Sequence, residues 1–108
     1  MTKVTIEPGI CGLTTVVEAV KEGKKGVKLL IKSDCPAISK LGEAFSETLD
    51  AYGTCFAKPG NNPFYQYAKE AVFPPHAGCV TIAGIIKCVE VECGLALPKD
   101  VKMIFDQE

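Results

Sequence analysis

Val4 and Ile6 alternate with Lys3, Thr5 and Glu7, and the run stops at Pro8-Gly9. A period of two is the signature of a strand with one buried face. Ile10-Cys11-Gly12 reads as a turn, and Thr14 to Lys21, rich in β-branched residues, as a strand returning antiparallel. Glu22-Gly23-Lys24-Lys25-Gly26 is a second turn. Val27, Leu29 and Ile31 then alternate with Lys28 and Lys32, with Leu30 interrupting the polar face. These runs predict a three-stranded antiparallel meander.

The period then changes. Ile38, Leu41, Phe45 and Leu49 recur at i, i+3, i+7 and i+11, the stripe of an amphipathic helix. Pro36 suits its first position, which makes Cys35 the N-cap. Residues 51–61 read as a loop. Asn62-Pro63 repeats the cap-then-proline signal for a second helix over 63–72, with Phe64, Tyr67, Ala68 and Ala71 on one face. Pro74-Pro75 stops it. A third helix is expected from Val80 to Cys93, with Ile82, Ile85, Ile86, Val89 and Cys93 on one stripe and Gly94 as the cap. Val101, Met103 and Phe105 alternate with Lys102, Ile104 and Asp106 as a closing strand. The expected fold is α+β in the order β-β-β-α-α-α-β, a two-layer sandwich forming one domain over residues 1–108.

Connection parity makes a geometric prediction. If the first strand runs upward, Cys11 lies in the turn at the top. The third strand also ends at the top, at Ser33-Asp34-Cys35-Pro36. Helices that alternate in direction then return His76 and Cys79, before the third helix, to the same end.

The chemistry of these residues gives that convergence its interest. Six cysteines in 108 residues would be a disulfide framework in an oxidising compartment. Met1 to Pro8 lack the continuous apolar region of a signal peptide, so the expected location is cytoplasmic and the thiols are expected reduced. No apolar run approaches the length of a membrane span, and a net charge of −1 with interspersed signs offers no field for nucleic acid or anionic lipid. The sequence has no GxGxxG, Walker lysine loop or HExxH motif.

Cys11, Cys35 and Cys79 with His76, the sole histidine, are the candidate metal ligands, a donor set suited to zinc or an iron–sulfur cluster. Cys35 is also the candidate reactive thiol, because a helix N-terminus favours thiolate. Gly78 is expected to free the backbone between His76 and Cys79. The alternatives are a thiol-based redox or carrier protein using Cys35, and a structural or oligomeric protein with packing cysteines. Cys93 reads as core, whereas Cys55 and Cys88 stay unassigned. The face carrying Cys88, Thr81, Gly84 and Val91 could pack on a second helix or on another copy of the chain, so a homo-oligomer is among the candidate partners.

Cys11-Gly12-Leu13, Ser33-Asp34-Cys35-Pro36, His76-Ala77-Gly78-Cys79, and Ile86-Lys87-Cys88-Val89-Glu90 followed by Gly94-Leu95-Ala96-Leu97-Pro98 carry a family resemblance. On these motifs the chain resembles an uncharacterised small domain family, a domain of unknown function, of anaerobic bacteria and archaea. The resemblance covers nearly the whole chain and implies no activity or catalytic residues. An anaerobic setting would suit an oxygen-sensitive cluster.

Overall fold

Alternation settles the first half of the chain. A computed structural model describes residues 1–107, and in it strands β1 (Thr2–Ile6), β2 (Thr15–Glu22) and β3 (Gly26–Ser33) form the expected antiparallel meander. The register sets Val4 opposite Val17 and Val17 opposite Ile31. Directly opposed residues share a face, so Val4, Ile6, Val17, Ala19, Val27, Leu29 and Ile31 lie together beneath the helices. On the other face Lys3, Thr5, Val20, Lys28, Leu30 and Lys32 are exposed. One face is covered and one is open, the two-layer arrangement that the alternation predicts.

The second half departs from expectation in three places. Helix α1 (Pro36–Ala44) buries Ile38 and Leu41 but ends five residues short of Leu49. Phe45 leaves helical geometry, donates its N–H to the Leu41 and Gly42 carbonyls, and sets its ring 4.6 Å from that of Phe64. The chain then rejoins the sheet as β4 (Leu49–Asp50), paired antiparallel with Gly26 and Val27, giving the order β1-β2-β3-β4.

The segment 51–61 is also structured. It holds a short helix α2 (Ala51–Cys55), capped by the Asp50 carboxylate on the Tyr52 N–H, and a 3-10 turn (Pro59–Asn61). Asn62 caps α3 (Pro63–Glu70) by accepting from the Phe64 N–H at 2.9 Å, and its amide donates to the Thr54 carbonyl at 2.6 Å.

The expected closing strand is absent. Residues 101–107 pair with nothing among the described residues, and Val101, Met103 and Phe105 are exposed. The sheet's fourth strand is β4, which leaves β1 as an edge strand.

Helix α4 (Thr81–Glu92) closes the core over β1 and β2. Gly84 passes Ile6 so closely that a Cβ there would stand 2.6 Å from Ile6 Cδ1. Eight residues on, the Glu92 carboxylate accepts from the Thr2 hydroxyl at 2.8 Å and from the Lys21 N–H at 2.9 Å. Helix α4 therefore runs antiparallel to β1, with its N-terminal end beside Ile6. No helix among the described residues is long and apolar enough to cross a membrane.

Candidate functional site

Three loops meet at the Ile6 end of the sheet. The first follows β1, where a backbone bond from the Gly12 N–H to the Gly9 carbonyl closes a turn around Cys11. Gly9 and Gly12 both have positive φ, at 104° and 67°, so this turn needs glycine at both positions. Cys11 stands exposed on it.

The second loop joins β3 to α1. The Ser33 hydroxyl is shared with Thr15 at 2.7 Å and accepts the Cys35 N–H at 3.1 Å, while the Asp34 N–H donates to the Thr14 carbonyl. These bonds hold Cys35 at the N-cap of α1, half-buried. Its thiol makes no capping hydrogen bond, so the N-cap assignment holds for the backbone alone.

The third loop precedes α4. A bond from the Cys79 N–H to the His76 carbonyl makes residues 76–79 a tight turn, bringing the exposed His76 and half-buried Cys79 close together. Gly78 does not serve as expected here. Its φ is not positive, and a Cβ would meet only ordinary contacts with the His76 ring.

Cys11, Cys35, His76 and Cys79 all line one depression of about 180 Å³ at this end of the molecule. Pro8, Leu13, Ala37, Pro74 and Pro75 supply most of the remaining wall, which is therefore apolar, and buried Thr81 completes it. By sequence alone Pro74-Pro75 is only a helix stop and Thr81 only part of a small-residue face. The signal for both was their closeness to His76 and Cys79. The donors face one depression, yet among the described residues no three His, Cys, Asp or Glu side chains stand in an arrangement that would hold a metal ion.

All six cysteines are free, and the other three lie elsewhere. Cys88 is core, 2% exposed, with its sulfur 3.5 Å from the Thr2 carbonyl and 3.8 Å from that of Val17. Its small-residue face packs on β1 and β2, with Gly84 against Ile6 and Cys88 against the Thr2 and Val17 carbonyls. Burial and then the nearby Glu92 carboxylate push its thiol up to about 11. Cys55 ends α2 half-buried against the core, and burial, Glu90 and Cys93 push it to about 11 as well. Cys93, expected in the core, is half-buried at the end of α4, and burial raises it too.

The family model described as Family of unknown function (DUF6951) matches residues 2–105, and the chain belongs to that family. No curated protein and no solved structure matches it.

Proposed function

We propose that this member of a family of unknown function is a small binding module that takes a thiophilic group in the depression lined by Cys11, Cys35, His76 and Cys79. The observation that carries the reading is that the sole histidine and three of the six cysteines, drawn from three loops far apart in sequence, line one depression. Thiolate and imidazole donors suit zinc or an iron–sulfur cluster. The apolar wall would limit water around either group.

A zinc ion needs four donors about 2.0–2.3 Å from one point. The side chains as placed do not meet that requirement. A cluster carries its ligating sulfurs farther apart than a single ion does, so either group would need the loops to adjust around it. A reducing compartment such as the cytoplasm suits six free thiols. Nucleic acid is not among the partners proposed, given a net charge of −1.

Thiol exchange is the second reading. It is favoured by Cys35 lying in the same depression as two other free thiols: one thiolate would attack a partner's disulfide and release a partner thiolate, and a second would displace the other, leaving a disulfide here and a dithiol on the partner.

Anaerobic purification with iron, zinc and sulfide analysis and a visible spectrum tests the first reading. Bound metal should fall in Cys35→Ser and Cys79→Ser and persist in Cys55→Ser. Protein that stays metal-free after reconstitution with zinc, and separately with iron and sulfide, overturns it. Slow alkylation of Cys35 across the pH range would then remove the second.

A further inference from the structure

The C-terminal segment carries a row of large apolar side chains that nothing among the described residues covers. Leu97 is 87% exposed, Val101 63%, Met103 72%, Ile104 79% and Phe105 86%. The Leu95 N–H donates to the Glu90 carbonyl as α4 ends, and from Ala96 onward no backbone hydrogen bond is made among the described residues. At the margin of the sheet, β1 pairs only with β2, so its outer backbone groups are also unpartnered. Unpaired edges of this kind accept an added strand.

Charge selects how a strand would add. Thr2, Val4 and Ile6 point toward α4, while Lys3, Thr5 and Glu7 are exposed on the other face. Antiparallel addition with Met103 opposite Ile6 sets Phe105 opposite Val4, so the apolar faces match. The same register sets Lys102 against Glu7 and Asp106 against Lys3, two attractive pairs. Parallel addition with Lys102 beside Lys3 sets Asp106 beside Glu7, and both pairs repel.

Antiparallel addition is awkward within one chain. Helix α4 ends with Glu92 against Thr2, at the start of β1. A tail leaving from there meets its own β1 in the parallel, repulsive sense. To pair antiparallel it would have to climb the full strand and reverse within the few residues around Pro98. A second copy of the chain presents the same edge without that constraint.

We infer that Val101–Gln107 is an exchanged strand that pairs antiparallel with the free edge of β1 in a second copy, forming a two-fold dimer. In this register Val101, Met103 and Phe105 turn to the covered face, on the order of 300 Å² per tail at about 100 Å² each. Two reciprocal tails with the matching receiving surface bury roughly 1,200 Å², the lower end of specific interfaces. The contact is isologous, so it closes at two copies instead of growing into a fibre.

Sedimentation equilibrium of the full chain under reducing conditions, paired with hydrogen exchange of residues 101–107, tests the inference. A dimer with protected tail amides is expected. Phe105→Asp should yield a monomer with an unchanged far-ultraviolet circular dichroism spectrum and a melting temperature that no longer varies with protein concentration, since Phe105 is exposed within one chain. Lys102→Glu should weaken the dimer roughly ten- to thirtyfold, from two pairs turned repulsive, and Glu7→Lys in the same chain should restore it. A chain that stays monomeric throughout overturns the inference, with or without protected tail amides. A dimer untouched by Phe105→Asp also overturns it, because the interface then lies elsewhere, as it would if two β1 edges paired directly.

Discussion

Gly84→Ala sets two effects of known sign against each other. Gly84 lies in the first half of α4, where alanine improves helix propensity by about 1 kcal/mol. The new methyl group would stand 2.6 Å from Ile6 Cδ1 and 2.9 Å from Ile6 Cγ1, against the roughly 3.5–4.0 Å of ordinary carbon contact. Ile6 is buried in the core beneath α4, so its side chain must shift against packed neighbours to admit the methyl group. Overpacking of this kind costs about 1–3 kcal/mol. The clash should win by about 1 kcal/mol, lowering the urea midpoint by roughly 1 M at the m-value usual for this size. The controlling variant is Ile6→Ala, which deletes both Cδ1 and Cγ1 and alone costs about 2–5 kcal/mol. In that background Gly84→Ala should become neutral or stabilising, a coupling of about 1–2 kcal/mol between the sites. Urea titration followed by far-ultraviolet circular dichroism of the four proteins gives the full cycle. A higher midpoint for Gly84→Ala in the native background, or the same change in both backgrounds, would refute the close-packing account of α4 on β1.

Three further outcomes follow from the polar and thiol groups. The Glu92 carboxyl is held below its usual range, first by the Lys21 N–H and then by the Thr2 hydroxyl, with the Met1 amino group 3.6 Å away. A depressed folded value contributes stability that is present above the unfolded carboxyl pKa and lost as pH falls through the folded one. Glu92→Gln should thus cost about 1 kcal/mol at pH 7 and progressively less in acid, and a deficit constant with pH in thermal melts would contradict this. Asn62→Ala removes a helix cap and strands the Thr54 carbonyl, so it should lose about 2–3 kcal/mol, roughly 8–15 °C in Tm; a shift of a degree or two would mean that water replaces the side chain. In native protein at pH 8, Cys88 and Cys55, with thiols at about 11, should alkylate far more slowly than exposed Cys11, and mass mapping that finds Cys88 labelled first would show the core to be open.

What could be read from the sequence follows from how much chain each signal spans. Over eight residues β2 shows its β-branched composition and β3 its alternation despite Leu30, and α4 shows its stripe over twelve. Strand β4 has two residues and α2 has five, too few to express any period. Their signals were instead side-chain to backbone bonds, with Asp50 capping α2 and Asn62 bridging to Thr54, and these depend on neighbours that composition does not reveal. Leu49 fits the helical stripe of α1 by spacing, yet it serves the sheet. The docking of Phe45 on Phe64 ends the helix first, and that contact joins residues nineteen apart in number. Val101–Phe105 reads as a strand for the opposite reason. Its alternation is genuine, but pairing needs a partner edge, and the chain's own free edge is reachable only in the sense that charge opposes.

The candidate site shows the same division between direction and distance. Parity of strands and helices fixes which end of the domain a loop reaches, and it survives the insertion of β4 and α2 because β4 runs antiparallel to β3 and α4 still descends along β1. Parity thus brought Cys11, Cys35, His76 and Cys79 to one depression from turns 24 and 41 positions apart, counted from Cys11 to Cys35 and from Cys35 to His76. Separation within that end is set by finer terms: positive φ at Gly9 and Gly12, the Ser33 bond that anchors Cys35, and the turn closed by Cys79 on His76. The Asp34 N–H on the Thr14 carbonyl ties the first loop to the second, but among the described residues no hydrogen bond ties either to the third. A group bound between them would supply that missing tie, so its binding should raise the stability of all three loops together.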